Sequence, residues 1–166
     1  YICTMSLPPA FVKDSPICCR ITDAHAYSLF DKKVSSLKSD KIDLKNVGLD
    51  KTLPLESEQV NCVTLLAVLE HLEYPTEILQ ECHRILKPGG VLILTTPTPT
   101  SKPILEFLSF KLHIVNPVEI ADHKNYFNGN QLTHMLKNDC GFDNVIAKTF
   151  QFGLNNLVIA YKGENE

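Results

Sequence analysis

The chain has 166 residues, 44% of them apolar and 21% charged, which suits one soluble globular domain with a single sizeable core. Its formal net charge of −3 argues against a broadly basic surface that would attract nucleic acid or anionic lipid. No run of about 18 apolar residues is present to span a membrane, and the first ten residues lack the pattern of a secretion signal. We therefore expect a soluble, cytoplasmic protein.

The six cysteines and six histidines do not show the spacing of a metal site. No two cysteines are separated by two residues, and neither an HExxH motif nor a histidine pair four residues apart occurs. Cys62 and Cys82 fall at apolar positions of a predicted strand and helix, where they are expected to be small buried side chains. We expect no metal; a metal site would need ligands that meet only in the fold.

The first predicted elements are strands. Ala24–Lys33 is a short apolar run that includes an acid, and Lys41–Leu49 alternates as a half-buried strand does. Asp50–Gln59 is polar and contains a proline, so it is predicted to be a connector. Val60–Leu69 is almost continuously apolar and rich in β-branched residues, which is typical of a strand covered on both faces in a parallel sheet.

A helix is predicted next, beginning at Pro75, whose fixed φ suits a first helical turn. Its apolar stripe at helical spacing consists of Ile78, Leu79, Cys82, Ile85 and Leu86. Pro88 is expected to stop the helix, and Gly89 and Gly90 to allow the positive φ of a sharp reversal into a strand at Val91–Thr96. Together these elements predict a strand-helix-strand crossover.

The C-terminal half predicts more helix and then a hairpin. Ile104–Val115 reads as a short apolar helix, and Gly129–Phe142 as an amphipathic helix ended by Gly141. Asn144–Phe150 and Asn155–Lys162 are separated by four residues, which predicts an antiparallel hairpin. The predicted fold class is α/β, with a mostly parallel sheet and an antiparallel C-terminal hairpin.

The middle of the chain resembles class I S-adenosylmethionine-dependent methyltransferases. The resemblance rests on five pieces that occur in the family's order and spacing: LPL (Leu53–Leu55), VLEHL (Val68–Leu72), Pro75, RILKPGG (Arg84–Gly90) and LILTTP (Leu92–Pro97). A later Asp-His, the helix into Cys-Gly-Phe and the hairpin also fit. The resemblance implies a Rossmann-like methyltransferase sheet, S-adenosylmethionine as cofactor, and methyl transfer to an acceptor, with a small molecule favoured and no nucleic acid expected. A catalytically silent binding or scaffold domain is the alternative.

The resemblance also implies a cofactor site at the carboxyl ends of parallel strands. Asp31 matches the acid that hydrogen-bonds the ribose hydroxyls in the family, although it also fits a surface aspartate at a strand end. Gly48 and Leu49 align with the loop beside the adenine. The family often places an aspartate there, and Asp50 is a substitute two residues on.

The end of the central strand is expected to line the methionine arm of the cofactor. Leu65, Leu66 and Ala67 would contribute backbone groups and small side chains there. A plain core role for the two leucines remains open.

His71 and His123 are the candidate catalytic residues. In some relatives a Glu-His pair at the position of His71 holds a metal or orients a substrate hydroxyl, and an imidazole can act as a general base near neutral pH. The metal-binding relatives carry a further glutamate three residues before that pair, where this chain has Ala67. A base or orienting role and a capping or packing role both stay open for His71; His123 would reach the pocket from the insertion.

The largest departure from the family lies at the front of the chain. The family's first strand normally runs into a glycine-rich loop, yet no glycine precedes Gly48. We therefore expect residues 1–23 to form a divergent or irregular segment, as in a fragment or a degenerate relative. Residues 24–162 form the methyltransferase-like domain, with a helical insertion or lid at about 99–126 that would choose the acceptor, and 163–166 form a tail.

Overall fold

The computed structural model of the protein describes residues 2–6, 23–27, 42–45, 51–108 and 123–164. Within these ranges the strands are β1 (Ile2–Ser6), β2 (Asp23–Tyr27), β3 (Ile42–Lys45), β4 (Val60–Leu66), β5 (Leu86–Pro97), β6 (Asn144–Phe150) and β7 (Asn155–Tyr161). The α-helices are α1 (Pro75–Ile85), α2 (Lys102–Glu106) and α3 (Gly129–His134).

The seven strands form one sheet in the order β3-β2-β1-β4-β5-β7-β6. β2 pairs in parallel with β3, and β4 in parallel with β5. β1 lies between β2 and β4 and runs antiparallel to both, so that β2, β3, β4 and β5 all point the same way. The C-terminal hairpin closes the other end, with β7 antiparallel to both β5 and β6. The molecule is an α/β protein with a mixed, Rossmann-like sheet, in which β1 belongs to the segment 1–23 that was expected to be irregular.

The crossover from β4 through α1 to β5 is present, but β5 begins five residues earlier than predicted. α1 ends at Ile85, and Leu86 already pairs with Val60 of β4. Gly89 donates its N–H to Lys162 O at 3.0 Å, and Lys162 donates to Gly90 O at 2.9 Å. Pairing on both sides thus draws the Pro-Gly-Gly stretch into an irregular part of β5.

Gly89 has the expected positive φ of +71°. Gly90 is needed for a different reason: a Cβ built there would lie 2.7 Å from Lys87 O and 3.2 Å from Asn61 O. Close backbone approach, and not the φ angle, excludes a side chain at Gly90.

β4 ends at Leu66, three residues before the predicted boundary. Ala67 adopts a left-handed conformation with φ +52°, which an extended strand does not use. A short 3-10 turn, Leu69–His71, follows. The apolar run therefore continues past the strand into a turn that is itself packed in the core.

The predicted helix over 129–142 is α3 followed by a π-helical turn, Met135–Asp139, and the reversal occurs at Gly141 with φ +81°. The Asn128 side chain accepts from Gln131 N, and Gln131 Oε1 accepts from Asn128 N, which gives α3 a complete capping box. The hairpin strands end where the sequence predicts, to within one residue. Of the predicted helix over 104–115, only the residues to 108 are described, and α2 starts two residues earlier, at Lys102.

One cluster of buried apolar side chains joins α1, α3 and one face of the sheet. Among its fully buried members are Val63, Leu65, Ile78, Leu79, Ile85, Leu92, Leu94, Leu132 and Val158. Cys62 and Cys82 are buried free thiols, as predicted. This core fixes β4 and β5 against α1 and so places the polar groups at the strand ends. No helix in the described part of the chain has the length and apolarity that a bilayer crossing requires.

Candidate functional site

The carboxyl ends of β2, β3, β4 and β5 lie at one edge of the sheet. Ile2, the first residue of β1, pairs with Tyr27 at the end of β2 and with Leu65 near the end of β4. Lys45 pairs with Tyr27, which brings the end of β3 to the same edge. In open sheets of this kind ligands bind in the crevice beyond the strand ends, where the order of strands reverses. That reversal falls here between β1 and β4.

Three of the cofactor residues predicted from the sequence, Asp31, Gly48 and Leu49, lie outside the described residues. The strands that precede them, β2 and β3, end at the expected edge. Their side-chain roles stay predictions.

The end of β4 is shaped by a strained residue. Leu65 is fully buried in the core, so its side chain faces away from solvent, whereas Leu66 is 48% exposed. Ala67 N donates to both the carbonyl oxygen and the hydroxyl of Thr95, at 3.1 and 3.2 Å. These two bonds hold Ala67 in its left-handed conformation, which turns the chain out of the sheet at the strand end.

The turn after β4 buries a charged residue. Glu70 is only 2% exposed, and its Oε2 has no hydrogen-bond partner among the described residues. Burial raises the pKa of the Glu70 carboxyl, while its hydrogen-bonded surroundings and the nearby His71 oppose that shift in part. The Thr96 hydroxyl lies beside this carboxyl and is likewise buried and unpaired within the described part of the chain. Two polar groups without geometrically satisfied bonds thus meet under the turn.

The segment after the undescribed stretch 109–122 returns to this turn. Glu70 O accepts from Lys124 N at 2.8 Å and from Asn125 N at 3.1 Å. The Asn125 side chain donates to Leu72 O at 2.7 Å. Three hydrogen bonds therefore fix the start of this segment against the Leu69–His71 turn.

These bonds bring His123 against His71, which is 52 positions earlier in the chain. The two imidazole centroids are 4.8 Å apart, with the rings at 75°. His123 Nδ1 lies 3.0 Å from the Tyr126 hydroxyl, whose pKa is raised, first by burial and then by Glu106 and Glu70. One ligand atom each from Glu70, His71 and His123 lies within 4.8 Å of the other two.

The structure thus joins the two histidines that the sequence singled out separately. Glu70 and Tyr126 complete the group, and sequence reasoning gave neither a role of its own. The available signal for Glu70 was a carboxylate inside the otherwise apolar run Val68–Leu72. Chemically the cluster offers imidazole bases and a set of N and O atoms that could hold a metal ion.

Next to this edge, the described part of the insertion exposes apolar side chains. α2 has no buried residue, and Ile104 and Phe107 are 43% and 56% exposed. The Thr98 hydroxyl donates to Gly153 O at 2.8 Å, which ties the start of the insertion to the tip of the hairpin. The candidate site is therefore bordered by an apolar surface on one side.

An open cleft of about 350 Å³ lies elsewhere, between α3 and the hairpin. It is lined by Gly129, Asn130, Thr133, Ala147, Lys148, Thr149 and Asn156. None of the residues predicted from the sequence to be in the site borders it, so it gives no support to a role in the same chemistry.

Comparison with known proteins places this geometry in a family. Residues 17–146 match a family model described as a methyltransferase domain. The ubiquinone biosynthesis O-methyltransferase of Histophilus somni is 30% identical over 121 residues, which are 68% of this chain and 50% of the relative. A probable S-adenosylmethionine-dependent methyltransferase of Mycolicibacterium smegmatis is 37% identical over 57 residues, 34% of this chain and 22% of the relative. The chain thus spans at most about half the length of these curated relatives.

Solved structures share the fold at low sequence identity. An S-adenosylmethionine-dependent methyltransferase from Archaeoglobus fulgidus aligns with a TM-score of 0.63 at 17% identity, over 83% of this chain and 75% of the other. The C-methyltransferase domain of the citrinin polyketide synthase gives 0.64 at 15% identity, over 85% and 39%. At this identity the likeness concerns the fold alone.

Proposed function

Because the chain belongs to the methyltransferase domain family, whose cofactor is S-adenosylmethionine, we propose that it transfers a methyl group from that cofactor to a hydroxyl of a small-molecule acceptor. One observation carries the proposal: His71 and His123 meet at the edge where four parallel strands end. The O-methyltransferase named among the relatives supports an oxygen acceptor.

The proposed cofactor site uses the ends of β2, β3 and β4. Asp31 binds the ribose hydroxyls, and Gly48 and Leu49 lie beside the adenine. Leu65 and Ala67 line the methionine arm, and the support for this is the turn that Ala67 makes out of the sheet, which leaves the strand end open to a ligand. The buried Leu65 side chain restricts that residue to a backbone role.

In the proposed reaction the acceptor oxygen attacks the methyl carbon of the sulfonium in line with the breaking C–S bond. S-adenosylhomocysteine leaves with the electron pair of that bond, and the hydroxyl proton passes to an imidazole nitrogen of His71 or His123. Most of the rate enhancement comes from positioning. The proton acceptor is needed because an alcohol or phenol is a weak nucleophile until its proton is removed.

The proposal is tested by titrating S-adenosylhomocysteine into the purified chain in a calorimeter. We expect binding tighter than millimolar, and Asp31→Ala to weaken it by about 1 to 3 kcal/mol, the scale of a lost charge-assisted hydrogen bond. Asp143→Ala, at an exposed position next to the hairpin, serves as the matched control and should bind as the parent does. Binding no tighter than millimolar would favour a catalytically silent domain, and an unchanged affinity in Asp31→Ala would remove Asp31 from the site.

A further inference from the structure

The buried carboxylate of Glu70 lacks a partner where two imidazoles converge. Its Oε2 is inaccessible and forms no hydrogen bond with any described residue. Leaving such a group unpaired costs stability, and buried carboxylates are normally hydrogen-bonded, ion-paired or bound to a metal. The nearest candidate protein donor, the Thr96 hydroxyl, is itself unpaired among the residues described. The feature therefore points to a group that is not part of the polypeptide.

We infer that Glu70, His71 and His123 bind a divalent metal ion of the zinc class. Two imidazole nitrogens and one glutamate oxygen are a donor set that suits Zn²⁺ and its first-row neighbours, and catalytic zinc sites use three protein ligands with a further position left open. The three ligand atoms lie within 4.8 Å of one another. Bond lengths near 2.1 Å place tetrahedral ligands about 3.4 Å apart, so small side-chain rotations complete the set.

The surroundings hold the ligands in place. The Tyr126 hydroxyl is 3.0 Å from His123 Nδ1, and a proton on Nδ1 leaves the lone pair of the neutral ring on Nε2 for the ion. The backbone bonds from Lys124 N and Asn125 N to Glu70 O couple the segment that carries His123 to the turn that carries the other two ligands. Such outer contacts are a regular part of metal sites.

This ligand set could not be obtained from spacing in the sequence. The glutamate that relatives add three residues before the Glu-His pair is Ala67 here, which removed the sequence reason to expect a metal. The third ligand comes instead from a residue 52 positions after His71 and on a separate segment. If the proposed function holds, the open position of the ion binds the acceptor hydroxyl and lowers its pKa, which aids removal of its proton.

The test measures metal binding directly. The purified chain is freed of metal with a chelator, Zn²⁺ is titrated by calorimetry, and Co²⁺ is followed by its visible absorption. We expect one ion per chain with micromolar or tighter affinity, and a weakening of at least about 100-fold in Glu70→Gln and in His123→Ala. His83→Ala and His134→Ala remove histidines outside the cluster and should bind as the parent does.

Unfolding curves of every variant establish that each one is folded, and Glu70→Gln keeps the size of the side chain. Absence of a stoichiometric ion, or equal affinity in the parent, Glu70→Gln and His123→Ala, would overturn the inference. Titration of S-adenosylhomocysteine with and without Zn²⁺ separates the two proposals. Cofactor binding without metal binding refutes the metal site alone, whereas metal binding without cofactor binding refutes the methyl-transfer function alone.

Discussion

At the scale of single residues, the structure separates glycines that sit in tight contact from glycines that do not. Gly90 faces backbone oxygens of Lys87 and Asn61 at distances that no Cβ tolerates. Gly129, at the first turn of α3, would place a Cβ at an ordinary 3.6 Å from the Ala147 Cβ. The same substitution therefore tests two different environments.

We expect Gly90→Ala to lower the free energy of unfolding by about 1 to 3 kcal/mol, because the backbone on both sides must shift to admit the methyl group. Gly129→Ala should be neutral or stabilising by up to about 1 kcal/mol, since alanine is the better helix former. Urea unfolding of both variants measures the difference. Equal stability would show that β5 does not approach its neighbours as closely as described.

At the scale of elements, the connector before β4 is clamped to α1 by an ion pair. Arg84 donates to Glu81 at 2.7 Å and, from the same guanidinium, to Leu53 O and Leu55 O at 3.2 and 2.9 Å. Glu81 Oε2 accepts from Leu53 N at 2.8 Å. The hydrogen bond from Arg84 is the main cause that lowers the pKa of the Glu81 carboxyl.

A carboxyl whose pKa is lower in the folded chain stabilises it above the unfolded pKa, and that contribution is lost as the pH falls through the folded pKa. Arg84→Ala should therefore cost more stability at neutral pH than in acid. Because Arg84 is about one third exposed, solvent screening limits the ion-pair part to about 1 kcal/mol at neutral pH. Lys137→Ala, an exposed cation on the turn after α3, is the control and should change little. A loss for Arg84→Ala that does not depend on pH would refute the clamp.

At the scale of the whole molecule, β5 is the strand on which the described fold depends. It pairs with β4 on one side and β7 on the other, and its buried face contributes Leu92 and Leu94 to the single core cluster. Damage to this strand should reach α1, α3 and the hairpin together.

Leu94→Ala should therefore cost about 2 to 5 kcal/mol, the range for a cavity in a packed core. The loss should appear as one transition at the same urea concentration by far-ultraviolet circular dichroism and by tyrosine fluorescence. Leu66→Ala, which truncates a leucine that is 48% exposed, should lower stability by less than about 1 kcal/mol. Two separate transitions in the parent chain would contradict a single core.

The sequence by itself determined the elements whose signals are local. The hairpin is set by two apolar strands and a four-residue gap, and α1 by its proline start and apolar stripe. The motif from Leu53 to Pro97 pointed to the family that the comparison with known proteins shows. Each of these features lies in a short stretch, where neighbouring residues dictate the backbone.

Tertiary structure decided whatever depends on partners distant in the chain. Pairing with Val60 and Lys162 moved the start of β5 to Leu86, because hydrogen bonds across strands outweigh the local preference of Pro-Gly-Gly for a turn. The bonds from Lys124 and Asn125 to Glu70 O set His123 beside His71. No spacing rule encodes that meeting, since it arises from two segments that fold onto the same strand end.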